Sequence, residues 1–360
     1  MTYILKKPSP ALTIRAGHIA HELILKEGLQ PAQVDIIPGA AGGPKGIGIQ
    51  GLDQAIFGNF LPQAQQRRTL IGSSIGSWRF ASIAAHGAKQ GTELLAELYT
   101  HLRFHKKMTK QDVSAVCYQM LNDLIKGHES TLVHHPDYHL TVLSIKAQNL
   151  FQSDHALPLM TALAGIVGTT ALGRKHSRHF MQRVISQPHI GQQFKIQDDA
   201  FQTHYQHLTE DNVMAWLMAS ASIPGVMAAV KNIANAPQGS YRDGGLIDYH
   251  IDLPFESKGI VLYPHFTDSI TPGWFDKLFK RTANPNNQAR TLLISPSQAY
   301  LNSLPLGRLP DRKDFSLKGL DDQQRIQLWK KCIAESQRLG DEFLELIEQQ
   351  NLAAVMQNFA

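Results

Sequence analysis

The apolar run Thr69-Leu70-Ile71 leads straight into Gly72-Ser73-Ser74-Ile75-Gly76 and then into a helical pattern over 77–86. Such a chain must turn sharply from strand to helix, and glycines two positions either side of Ser74 remove the Cβ atoms that would obstruct the turn. A similar unit precedes it. Residues 34–37 read as a buried strand broken at Pro38-Gly39, followed by the loop Ala40-Ala41-Gly42-Gly43-Pro44-Lys45-Gly46 and a helix through 52–57. Two strand–loop–helix units in succession point to an α/β fold with a mostly parallel central sheet covered by helices on both faces.

The rest of the chain extends that pattern. Strands are expected at 139–145, 259–263 and 291–294, and helices at 14–29, 92–102, 111–125 and 211–219. After Ser295 the residues Pro296, Pro305, Gly307 and Pro310 mark a loop-rich connection. Two polar helices are expected beyond it, at 321–338 and 341–357, divided by Gly340. The expected organisation is an α/β domain over 1–295 and, over 296–360, a loop-rich connection and helical C-terminal extension packed on it.

Composition limits the function classes. The 360 residues are 43% hydrophobic and 18% charged, enough to bury a large core. The net charge of +5 suits an anionic membrane surface or a phosphorylated substrate without requiring either. Lys/Arg tracts and aromatic RNA-reading motifs are lacking, so nucleic acid is not an expected partner. Cys117 and Cys332 have no metal-ligand spacing and suggest a reducing, cytoplasmic setting; no metal or cofactor is expected. Residues 1–20, with Lys6 and Lys7, lack an apolar run of signal-peptide length. No stretch reaches the roughly 20 apolar residues of a membrane span; the nearest is 157–173.

Three local patterns carry chemistry. Ser74 sits where a nucleophile must sit, on a glycine-flanked turn that projects its oxygen. The amides of Gly42 and Gly43, with that of Ile75, are candidate donors to a tetrahedral oxyanion; Pro44 has no N–H to offer. Lys45 is followed by Gly46 rather than Ser or Thr, so the loop is not a Walker phosphate loop. Asp243, in Asp243-Gly244-Gly245, places a carboxylate on a turn from which it can accept a serine proton. Each pattern alone also fits an ordinary glycine turn.

Taken in order, the glycine loop, Gly72 to Gly76 and Asp243-Gly244-Gly245 resemble the patatin-like phospholipases, lipid acyl hydrolases with a Ser–Asp dyad. Ala219-Ser220-Ala221-Ser222-Ile223-Pro224 looks like the Ala-Ser-x-x-x-Pro segment that precedes the family's aspartate. The resemblance implies a three-layer patatin-like fold, Ser74 as nucleophile, Asp243 as its base, and Gly42, Gly43, Lys45 and Ile75 around the oxyanion. Gly72 and Gly76 would flank the nucleophile. Lys45 stands where the family usually has Arg, Ala40 and Ala41 replace the usual Asp and Gly, and Tyr249-His250-Ile251-Asp252 replaces an Asn-x-Pro. The implied activity is cleavage of fatty-acyl esters of phospholipids or related lipids. An acyltransferase with the same dyad and a catalytically weak lipid-binding or regulatory protein are the alternatives. Among 17 histidines, His250 and His265 are the candidates for a Ser–His–Asp triad.

Two segments are candidates for lipid contact. In Thr271 to Arg281, α-helical spacing puts Trp274, Phe275, Leu278 and Phe279 on one face flanked by Lys277, Lys280 and Arg281, as in an interfacial helix; a short helix docked on the sheet reads the same way. Residues 157–173, followed by Arg174, Lys175 and Arg178, suit either a lid or acyl-chain wall or a buried core helix.

Overall fold

An eleven-stranded sheet organises the chain; the computed structural model describes residues 9–191 and 193–359. Lys6 and Lys7 of the N-terminal stretch lie outside them. The first six strands are β1 (Leu12–Ala16), β2 (Val34–Gly39), β3 (Arg68–Ser73), β4 (Tyr138–Ala147), β5 (Met181–Gln187) and β6 (Thr203–His207). They are followed by β7 (Val230–Lys231), β8 (Ser240–Asp243), β9 (Ile260–Pro264), β10 (Thr291–Pro296) and β11 (Met356–Asn358). The helices up to the middle of the chain are α1 (His18–Glu27), α2 (Gln50–Gln54), α3 (Ile75–His86), α4 (Ala88–Thr100), α5 (Lys110–Ile125) and α6 (Glu129–His134). Later come α7 (Ala156–Leu172), α8 (Val213–Ala221), α9 (Gln298–Ser303), α10 (Asp322–Glu335), α11 (Gln337–Glu348) and α12 (Leu352–Val355).

The strand order is β11-β1-β10-β9-β2-β3-β4-β5-β6. The central run from β10 to β4 is parallel throughout, with antiparallel pairs where β1 meets β10 and β5 meets β4. Every residue of β9 and β10 is buried, as parallel strands covered on both faces require. The expected strands 34–37, 69–71, 139–145 and 291–294 all fall inside these strands, and 259–263 does so from its second residue.

Register does something the sequence does not announce. β3 ends with Ser73 opposite Leu143 of β4, and on that strand's next residue, Ser144, the antiparallel β8 begins its pairing with Asp243. The turn after Ser73 and the end of β8 are therefore brought together on β4, although 169 positions separate Ser74 from Asp243.

Two expected elements differ. Residues 14–29 are not one helix: Ile14 to Ala16 belong to β1, antiparallel to β10, and the helix starts at His18. The alternation of Leu12, Ile14 and Ala16 as buried residues is the two-residue period of a strand, too short to outweigh the helical spacing that follows it. Gly340 does not divide the C-terminal helices. It lies inside α11, where a Cβ would sit 2.3 Å from the Gly51 carbonyl oxygen, so its role is close packing on α2. The break falls at Ser336, whose hydroxyl accepts from the Gly51 N–H at 2.9 Å. After α12 the chain returns as β11 and pairs in parallel with β1.

Candidate active site

Ser74 is the one residue between β3 and α3, with φ 54° and ψ −126°. That conformation is costly for a residue with a Cβ and persists because its surroundings hold it. The turn is tight: a Cβ on Gly76 would lie 1.9 Å from the Gly39 carbonyl oxygen, and one on Gly72 2.4 Å from the Ser77 nitrogen. The Ser74 N–H donates to Ser220 Oγ at 2.9 Å, and that hydroxyl donates to the Leu143 carbonyl at 2.6 Å. Ser77 Oγ donates to the Ser74 carbonyl at 2.7 Å.

The Ser74 hydroxyl donates to Asp243 Oδ2 at 3.1 Å, while Oδ1 accepts from the Gly245 N–H at 2.7 Å. Burial raises the Asp243 pKa to about 6, against the opposing pull of Arg312, the Gly245 amide, the Ser74 hydroxyl and Lys277. The Ala219 to Pro224 segment ties both turns together. Ser220 holds the Ser74 amide, and the Ser222 carbonyl accepts from the Asp243 N–H at 3.0 Å.

Gly42 and Gly43 enter a 3₁₀ turn beside this pair, with Gly43 at φ 58°. Among the described residues, the amides of Gly42, Gly43 and Ile75 donate to no protein acceptor. The Ala41 N–H donates to the Tyr249 carbonyl at 2.8 Å. The Lys45 ammonium pairs with Asp311 at 3.0 Å.

His250 and His265 stand apart from the pair. Their rings meet edge to face at 4.4 Å, and His250 Nδ1 accepts from the Thr271 N–H at 3.0 Å. Burial, then His265, holds the His250 pKa well below the usual imidazole range, and burial brings His265 to about 3. Neither ring bonds to Ser74 or Asp243 among the described residues.

A family model described as Patatin-like phospholipase matches residues 45–252, more than half of the chain. The chain belongs to the patatin-like phospholipases. Among solved structures, human GIVD cytosolic phospholipase A2 is similar at 10% identity and a TM-score of 0.45. The similarity covers 96% of this chain but only 66% of that one. No curated protein matches the chain.

Two chambers open on the pair in this patatin-like chain. The first, about 270 Å³, is lined by Ser74, Ile75, Trp78, Leu102, Phe104, Val113, Met227 and Phe315, an almost wholly apolar wall. The second, about 540 Å³, reaches Asp243 and Gly42 and carries Lys45, Lys277, Arg312 and Lys313. Arg312 lines both, and its guanidinium lies against Gly43 beside the Tyr99 hydroxyl. Lys277 Nζ sits 3.4 Å from the Tyr249 ring centroid. Desolvation there, then Lys45 and Arg312, lowers its pKa to about 7, though the side chain as a whole stays exposed.

The Trp274 to Phe279 segment is a 3₁₀ helix, in which side chains eclipse every third residue, so the face assumed from α-helical spacing is not formed. Phe275 is only 4% exposed and packs with Leu246 and Ile247, which removes it as a surface contact. Trp274 and Leu278 face outward, and Phe279 is half-buried. Tyr99 and Arg312 line the site without belonging to any of the sequence patterns, and Ser220 and Lys277 do so from segments read for other roles. Ser220 lies in the Ala219 to Pro224 segment and Lys277 in the lipid-contact segment, while Arg312 opens a short 3₁₀ turn, Arg312–Ser316, two residues after Pro310, with no periodicity to mark it.

Proposed function

We propose that the protein is a serine acyl-ester hydrolase that cleaves fatty-acyl esters of phospholipids or related lipids through Ser74 and Asp243. The hydrogen bond from the Ser74 hydroxyl to a buried carboxylate, with Ser74 in the wall of an apolar chamber, carries this reading. The acyl chain enters the apolar chamber, which places the ester carbonyl against Ser74 Oγ. Asp243 takes the hydroxyl proton as Oγ attacks, and the amides of Gly42, Gly43 and Ile75 hold the oxyanion. Collapse expels the alcohol, which takes the proton back from Asp243. Water then attacks the acyl-serine, giving its proton to Asp243, and the fatty acid leaves as that proton returns to Ser74.

The same acyl-serine serves an acyltransferase if an alcohol replaces that water, and product analysis with and without added acceptor separates the two. The two unpaired, buried thiols accord with a cytoplasmic setting, and Trp274 at the chamber rim with peripheral contact at a membrane. A fluorophosphonate probe tests the reading. Labelling of the wild-type chain that disappears in Ser74→Ala is expected; labelling retained in that variant, or none in wild type, overturns it in favour of another nucleophile or of lipid binding alone.

A further inference from the structure

Helix α7 runs for 17 residues without a charged side chain. One stripe of it, Leu159, Ala162, Ile166 and Thr170, is buried against the molecule. The opposite stripe is open and equally free of charge: Leu157 is 80% exposed, Met160 62% and Leu172 81%, with Ala164 and Gly168 exposed between them. A surface helix of a soluble face normally carries its charges there, and a contiguous apolar exposure of this kind marks an interaction surface. At about 1.5 Å per residue the helix is about 25 Å long, short of the roughly 30 Å hydrocarbon core. No helix among the described residues is long and apolar enough to cross a membrane. A helix of this kind lies along a surface.

Its surroundings specify which surface. Leu163, at the edge of the open stripe, lines the larger chamber together with the outward-facing Trp274 and Leu278, so the stripe is continuous with the mouth that leads to Asp243. Exposed cations stand close in the chain to both helices: Lys175 and Arg178 just after α7, and Lys280 at the end of the 3₁₀ helix packed on it. None of the three is paired with a carboxylate among the described residues. An apolar stripe with unpaired, exposed cations close to it in the chain suits acyl chains below and anionic headgroups above.

We infer that α7 docks the molecule on an anionic phospholipid bilayer and sets the larger chamber against the leaflet. The inference rests on the lipid-hydrolase reading for the occupant, though not for the exposure of the stripe. Docking keeps the ester in contact with protein as it leaves the bilayer, and the cations select leaflets rich in anionic headgroups.

The test uses the full chain and co-sedimentation with phosphatidylcholine vesicles, with and without phosphatidylserine. A variant carrying Leu157→Glu, Met160→Glu and Leu172→Glu is expected to lose binding about tenfold or more. Its hydrolysis of a monomeric short-chain ester and its thermal unfolding midpoint stay at wild-type values. Lys175→Glu with Arg178→Glu is expected to remove the preference for phosphatidylserine. Equal vesicle binding by wild type and the triple variant, or none by wild type, overturns the inference. A wild-type dimer that the triple variant dissociates, without vesicle binding, overturns it in favour of self-association. Vesicle binding through the stripe in a protein that hydrolyses no ester upholds the docking surface and defeats the hydrolase reading instead.

Discussion

Asp243 holds Ser74 with one carboxylate oxygen at 3.1 Å and the Gly245 amide with the other at 2.7 Å. The second bond fixes the plane of the carboxylate, so the oxygen that faces Ser74 has little freedom to turn away. Burial is the opposing influence, and it lifts the Asp243 pKa from 3.8 to about 6. A proton acceptor in that range remains ionised at neutral pH while being a stronger base than an exposed carboxylate.

Turnover is expected to rise with pH as Asp243 ionises near pH 6, and Asp243→Asn to lower kcat by about 10²–10⁴-fold. Stability should move the other way. The folded pKa lies above the unfolded one, so the folded state favours the protonated acid. Its contribution is fully present below pH 3.8 and is lost as pH rises through about 6. Asp243→Asn should therefore be more stable than wild type at pH 8, by up to about 3 kcal/mol, and indistinguishable below pH 4. Unfolding midpoints at the two pH values check this; a variant less stable at pH 8 contradicts it.

Arg312 supplies the largest charge acting to keep Asp243 ionised. Removing that charge in Arg312→Gln is expected to shift the acid limb of kcat/KM upward by up to about one pH unit. Arg312→Lys should return it most of the way. A limb unmoved by Arg312→Gln would place the guanidinium's influence elsewhere.

The contrast between Ser74 and Arg312 shows what was legible in the sequence. A nucleophile turn needs glycines at fixed offsets and a strand before it, so residues 69–86 expose it in one short window. Asp243 was legible from its own glycine turn, but its meeting with Ser74 depends on the register of two strands on β4. Arg312 comes from the loop-rich segment beyond the family match, and only tertiary packing carries it to Gly43. The lipid-contact face failed at Phe275 because a 3₁₀ helix replaced the α-helix that the spacing implied. Around α7 the composition was plain, yet burial of one stripe and exposure of the other was not.

Ser220 joins the nucleophile turn to the sheet, accepting from the Ser74 amide and donating to Leu143. In Ser220→Ala both backbone groups lose a buried partner, at about 1–3 kcal/mol. The expected result is a lower unfolding midpoint and a kcat reduced about tenfold with KM unchanged, since the substrate chambers keep their walls. A change confined to KM would contradict a positioning role.

His250→Asn is expected to keep activity on a chromogenic ester within about threefold of wild type, while Ser74→Ala abolishes it. The Asn oxygen can replace Nδ1 as acceptor for Thr271, and the His250 ring makes no bond to Ser74 or Asp243 among the described residues. A loss as deep as that of Ser74→Ala would restore histidine to the mechanism.

Two glycine substitutions in helices should change stability with opposite signs. Alanine in a helix interior ordinarily gains about 0.5–1 kcal/mol over glycine. Gly168 of α7 has nothing within 4 Å of where a Cβ would stand, so Gly168→Ala should raise the unfolding midpoint. At Gly340 the same methyl group would meet the Gly51 carbonyl oxygen at 2.3 Å and its carbon at 2.9 Å. Those are backbone atoms that no side-chain rotation can move aside. Relief requires α11 to withdraw from α2, exposing Phe343, which packs edge to face on Phe60. Gly340→Ala should therefore destabilise by about 1–3 kcal/mol, while hydrolysis by the folded fraction is retained because Ser74 and Asp243 belong to other elements. If Gly340→Ala proved as stable as Gly168→Ala, α11 would not be packed on α2 at that distance.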